Sequence, residues 1–236
     1  MRFMPKFSET TFFCFSLPVM LFILILEFLF ALYVIITSKW RHSSAIVITI
    51  LLVCLGIFQL AEFQVCDGAR TVAWMRLGYT AITLLPALGI HLVSLITRRK
   101  WVRNLGYLLA AGFISVFLFS TQSIHTALCG GNYILISTSG VVARTYFPLY
   151  YLISLTVTIL EIIWFTIVNV NQNKIAVSAL RWLLGGLATF LIPTGAVYLL
   201  STAARSGLPS IMCGFAVFFA IILTLFVYPL YKKLDI

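Results

Sequence analysis

The chain alternates long apolar stretches with short polar or basic loops. The stretches are Phe12 to Thr37, Ala45 to Val65, Val72 to Thr97, Asn104 to Thr121, Tyr146 to Val170, Ala179 to Leu200 and Leu208 to Tyr231. About 20 residues of helix, rising 1.5 Å each, cross a hydrocarbon core of roughly 30 Å. Each stretch reaches that length or comes close to it. Membrane β-strands would instead be segments of about ten residues with strict alternation, and these runs are continuous. The pattern predicts an all-α membrane protein, with residues 1–236 forming a single seven-helix transmembrane domain. The stretches are called spans one to seven below.

Composition agrees with the pattern: 62% of residues are hydrophobic and 9% charged, against about 25% charged in an ordinary soluble domain. The formal net charge is +10, but the cations are spread over the loops and form no single basic face. Nucleic acid is therefore not an expected partner. Their distribution predicts orientation, because Lys- and Arg-rich loops stay on the cytoplasmic side. Ten fall on one side (Lys39, Arg41, Arg98, Arg99, Lys100, Arg103, Lys174, Arg181, Lys232, Lys233) and six on the other (Arg2, Lys6, Arg70, Arg76, Arg144, Arg205). The expectation is an outside N-terminus and a cytoplasmic C-terminus. Arg2 and Lys6 before an apolar run resemble a signal peptide. However, 26 residues exceed an h-region, and no small-x-small site follows.

The longest loop, residues 122–145, holds 24 residues, too few for a kinase, cyclase or nucleotide-binding fold. Within it, Tyr133 to Ser137, Thr138 to Gly140 and Val141 to Thr145 read as strand, turn and strand. This predicts a short extracytoplasmic β-hairpin lid between spans four and five. Cys66 and Cys129 both fall on the expected outer side, where a disulfide persists, and are expected to be bonded. Cys14, Cys54 and Cys213 lie within spans, as packing residues.

Charges inside a membrane span are costly and face protein or water, which makes each a functional candidate. Glu62 and Arg76 lie at matching depth near the outer ends of spans two and three and are expected to pair. In the functional reading they anchor a ligand's polar group, with Gln59 on the same helix face as Glu62. Glu27, His91 and Glu161 share a depth between the midplane and the cytoplasmic third. They form a candidate polar cluster, either a proton relay or a satisfied structural network. Tyr151, Ser154, Thr158 and Glu161 recur at helical spacing, as do Thr80, Thr83, Ala87, His91 and Ser94. These stripes predict that spans three and five face each other. The candidate ligand-binding residues are Gln59, Glu62, Arg76, Tyr79 and Tyr151. Pro86 and Pro193 free backbone carbonyls one turn earlier, creating kinks that line a cavity or act as hinges.

Span seven has no lysine for a retinal Schiff base, and HExxH, GxSxG and Walker sequences are all missing from the chain. His42, His91 and His125 are scattered. No metal, cofactor or catalytic residue is therefore expected, and the protein does not read as an enzyme.

Span three reads Trp74-x-Arg76-x-Gly78-Tyr79, then Leu85-Pro86 and His91. Span six begins Leu180-Arg181-Trp182-Leu183-Leu184-Gly185, and span seven ends Tyr228-Pro229-Leu230-Tyr231-Lys232-Lys233. This order resembles the seven-transmembrane N-terminal region of bacterial and archaeal histidine kinases and diguanylate cyclases. The resemblance implies the same topology, a bacterial or archaeal cytoplasmic membrane and a role in sensing, with the output domain supplied by a partner. The expected partners are the bilayer, a small-molecule or lipid ligand and a cytoplasmic signalling protein. Two rivals remain open: a transporter or channel using Glu27, His91 and Glu161, and an accessory membrane subunit without a ligand.

Overall fold

The computed structural model describes residues 17–38, 42–67, 71–120, 123–129, 134–138, 140–200 and 207–234. Among these, seven helices are long and apolar enough to cross a membrane, and the chain is a multi-pass helical membrane protein. Four come first: α1 (Leu17–Ser38), α2 (Ser43–Cys66), α3 (Thr71–Thr97) and α4 (Lys100–Phe119). Strands β1 (Ile124–Cys129) and β2 (Ile134–Thr138) follow. Span five is built from α5 (Gly140–Thr145), a π-helical stretch (Tyr146–Tyr151) and α6 (Leu152–Val168). Span six is α7 (Lys174–Leu200). Span seven is α8 (Leu208–Ile222), a second π-helical stretch (Leu223–Val227) and α9 (Tyr228–Lys233).

Helices α4 and α7 begin several residues before their apolar runs, at Lys100 and Lys174. A long basic side chain can run along the helix to the interface, so a charge does not mark the end of a membrane helix.

The strand pair departs from the expected one. β2 does occupy the alternating run after Tyr133, but its antiparallel partner is the upstream segment β1, with Leu128 opposite Leu135 and Ala127 opposite Ile136. Val141 to Thr145, expected as the second strand, lies in α5. The apolar run there continues into span five, and a helix entering a membrane keeps its backbone hydrogen bonds internal. β1 packs against α2 and α3.

Spans two, three and seven are the most enclosed. α2 packs against α1, α3 and α8; α6 lies against α3, and α7 against α6 and α8. Spans three and five do face each other. α4 buries only one stripe, Val102, Gly106, Ala110 and Phe117, a narrow seam on a helix otherwise turned outward. Glycines set the closest approaches. A Cβ on Gly186 would lie 2.9 Å from the Phe219 ring, and one on Gly56 3.1 Å from that of Phe28. Small residues admitting a neighbour's bulk are how membrane helices gain dispersion contacts without a hydrophobic driving force.

Pro86 locks spans three and five together. It lacks an N–H, so the Ile82 carbonyl one turn earlier loses its helical partner. The Tyr151 hydroxyl donates to that carbonyl at 3.2 Å, and Tyr150 donates to the adjacent Thr83 carbonyl. Thr83 Oγ1 lies 2.9 Å from the Tyr146 hydroxyl. All three tyrosines come from the π-helical stretch of span five, which presents them together to the kink. At the far end of the bundle, Tyr231 donates to the Leu92 carbonyl at 2.9 Å. Lys232 donates to the Thr37 carbonyl at 3.1 Å, and Tyr228 lies 3.0 Å from Thr37 Oγ1.

Candidate functional site

The buried face of α1 repeats at intervals of four and three: Met20, Leu24, Glu27, Ala31 and Val34. This is the seam of a packed helix pair, and Glu27 is the carboxyl set into it, with 0% of its surface exposed. α2, which packs against α1, carries Gln59 and Glu62 three residues apart on one face, each 1% exposed. α8 adds Ser210 and Cys213, also three apart. Ser210 hydrogen-bonds to Glu62, while Cys213 lies within electrostatic reach of both carboxyls. Glu27 and Glu62 also interact with each other. The cluster thus joins spans one, two and seven.

Several of its polar atoms have no hydrogen-bond partner. Among the described residues, neither oxygen of Glu27 has a hydrogen-bond partner, nor does Gln59 Oε1 or Glu62 Oε1. A buried polar group without a partner costs about 1–3 kcal/mol, and more when charged. Four such atoms in one place mark an arrangement not optimised for packing alone.

Beside the cluster lies a cavity of about 50 Å³ whose lining includes Leu55, Pro86, Tyr151, Phe190, Cys213 and Phe219. Spans two, three, five, six and seven all contribute to it. Cys213 belongs to both features: it lines the cavity and interacts with Glu62 and Glu27. An aromatic cluster closes the adjoining side. In it Tyr79 packs against Phe117 and Tyr146, at ring distances of 4.9 and 5.8 Å, and Tyr146 packs against Tyr151 at 5.7 Å.

The residues expected from sequence divide. Gln59 and Glu62 sit in the cluster, Tyr79 lies near Glu62 and Cys213, and Tyr151 lines the cavity. Arg76 does not complete that group. Its Nη2 donates to the Ser120 carbonyl at 3.3 Å, at the C-terminal end of α4, where a cation is favoured by the exposed carbonyls. Glu62 turns instead to Ser210, so the two charges expected to satisfy each other have different partners.

The expected trio of Glu27, His91 and Glu161 is likewise divided. His91 Nδ1 lies 2.9 Å from the Tyr107 hydroxyl of α4, Glu161 receives Arg99 at 2.7 Å, and Glu27 lies within electrostatic range of Glu62. The depth expected from the sequence did not bring them together. At 3.6 residues per turn His91 sits about 80° around α3 from Thr83, which carries it from the span-five face toward α4. Arg99, just past the end of α3, reaches back to neutralise Glu161. Sequence reasoning missed Ser210 and read Cys213 as a packing residue. Their spacing of three, at the end of span seven that meets the Glu62 end of span two, was the available signal.

Cys129 closes β1, and its side chain falls outside the described ones, as does any bridge to Cys66. The free thiols among the described residues are Cys54 and Cys213, both buried. No group of three or more His, Cys, Asp or Glu among the described residues is arranged to hold a metal ion. No protein-family model, curated protein or solved structure matches this chain.

Proposed function

We propose that this protein is a receptor-like membrane sensor that takes a small lipophilic ligand into the cavity beside Cys213 and passes the change to a separate signalling partner. The observation that carries the reading is that cavity: an apolar lining drawn from five spans, meeting buried, unpartnered acceptors at Cys213. Ligand sites have this character, mostly apolar with a few convergent polar groups. At about 50 Å³ the cavity holds only a few heavy atoms. A larger ligand must favour a more open packing of the spans, and it shifts the equilibrium by its differential affinity for that packing.

Span seven offers the route. Met212, Cys213, Ala216 and Phe219 line the cavity, and beyond them the π-helical stretch leads to α9, which is fastened by Tyr228, Tyr231 and Lys232. Such stretches are frequent at functional sites because their backbone bonding is easily rearranged. In this reading the N-terminus is outside, by the distribution of Lys and Arg, and α9 delivers the change on the cytoplasmic side. The β1–β2 hairpin then lies on the outer side as a lid. A Cys66–Cys129 bridge would fix it: β1, which ends in Cys129, packs against α2, which ends in Cys66, and Cys66 is not among the free thiols. The transporter alternative has less support, because the proposed relay residues each have other neighbours.

Ala216→Phe fills the cavity from a residue that lines it. Both proteins are purified in mild detergent and their retained small molecules are extracted and weighed by mass spectrometry. The expected result is a lipophilic molecule held by the wild type and lost from Ala216→Phe. Equal retention by both, or no retention and no binding of alkyl probes by either, refutes the proposal.

A further inference from the structure

We infer that the polar end of this site takes a protonated amine, so that the ligand is an amphiphile with an apolar body and a cationic nitrogen held between Glu27, Gln59 and Glu62. The inference rests on the cavity reading above and specifies its ligand class. Three side chains, each at most 1% exposed, present four oxygens with no hydrogen-bond partner among the described residues. All four can accept a hydrogen bond, and a carboxylate in its charged form accepts only. A cationic ammonium supplies up to three N–H donors in a compact head, each able to form a charge-assisted bond to a carboxylate.

The arrangement separates this ligand from its rivals. An anion is excluded by two carboxyls in mutual electrostatic range. A neutral hydroxyl supplies one donor for four acceptors. No group of three or more His, Cys, Asp or Glu among the described residues is arranged to hold a metal ion. The carboxyl cluster and the apolar cavity meet at Cys213, whose small side chain interacts with both carboxyls and lines the cavity wall. One molecule can thus span the two, its alkyl part against Leu55 and Phe219 and its nitrogen beyond Cys213.

The test uses decylamine, with decanol as its neutral match, on the purified 236-residue chain in lipid nanodiscs, read by tryptophan fluorescence titration. The variants are Glu27→Gln and Glu62→Gln, which keep shape and remove charge, and Ala216→Phe. The expected result is decylamine binding about tenfold or more tighter than decanol, with each Gln variant losing that preference while still binding decanol, and Ala216→Phe binding neither. Equal binding of amine and alcohol in the wild type, both abolished by Ala216→Phe, overturns the amine while leaving the cavity standing. Binding of both probes unaltered by Ala216→Phe overturns the cavity reading itself. Occupation of the carboxyls by sodium ions, seen as sodium chloride displacing decylamine where choline chloride does not, also overturns it.

Discussion

The contact between Pro86 and Tyr151 can be tested as a single energetic unit. Proline removes the N–H that would have met the Ile82 carbonyl, and the Tyr151 hydroxyl takes its place at 3.2 Å. In a bilayer no water is at hand to substitute, so Tyr151→Phe leaves that carbonyl unpaired. Side-chain hydrogen bonds in membrane bundles are worth about 0.6 kcal/mol on average and up to about 1.7. A buried acceptor losing its donor lies at the upper end, which gives a cost of about 1–1.5 kcal/mol. Pro86→Ala restores the N–H to its own helix, and in that background Tyr151→Phe should cost nearly nothing. The expected coupling between the two substitutions is therefore about 1 kcal/mol, measured by unfolding in mixed micelles with increasing SDS and tryptophan fluorescence as the signal. Tyr150→Phe is the internal control, because it removes a donor to the Thr83 carbonyl, whose helical partner, the N–H of residue 87, is untouched by Pro86. Its coupling to Pro86→Ala should be the smaller of the two. Additivity of Pro86→Ala and Tyr151→Phe to within about 0.3 kcal/mol would refute the account.

Three other outcomes follow from contacts elsewhere. Gly186→Ala places a Cβ 2.9 Å from the Phe219 ring and should lower stability by about 1–2 kcal/mol in the same assay, with partial recovery in Phe219→Leu; no loss would mean that α7 and α8 have room to separate. Glu161→Gln breaks a 2.7 Å ion pair whose Arg99 partner is 43% exposed, and the stability change should stay below about 1 kcal/mol because water screens the pair. Alkylation of the folded protein without reductant should leave Cys54 and Cys213 unlabelled until denaturation, since both are buried, and Cys66 unlabelled until reduction; ready labelling of Cys66 in the unreduced, denatured chain removes the proposed bridge.

Length and hydropathy are properties of one dimension, and there the sequence was sufficient. The seven spans, the proline position in span three and the facing of spans three and five all follow from counting residues along the chain, because the bilayer imposes a fixed thickness and a closed backbone. Counting also assigned Glu27, His91 and Glu161 to one level, but an assigned level does not make a contact. Direction around each helix axis could not be fixed that way. Each span turns about 100° per residue, so a small error in facing sends His91 to Tyr107 and Glu161 to Arg99. The strand partner was open for a similar reason, because alternation in β2 identifies a strand but not which neighbour completes its ladder. Only the packing of α1, α2 and α8 brought Glu27, Gln59 and Glu62 together with Ser210 and Cys213. That cluster spans residues 27 to 213, and what unites it is the lateral order of the helices, which close-packing of side chains decides and hydrophobicity alone leaves free.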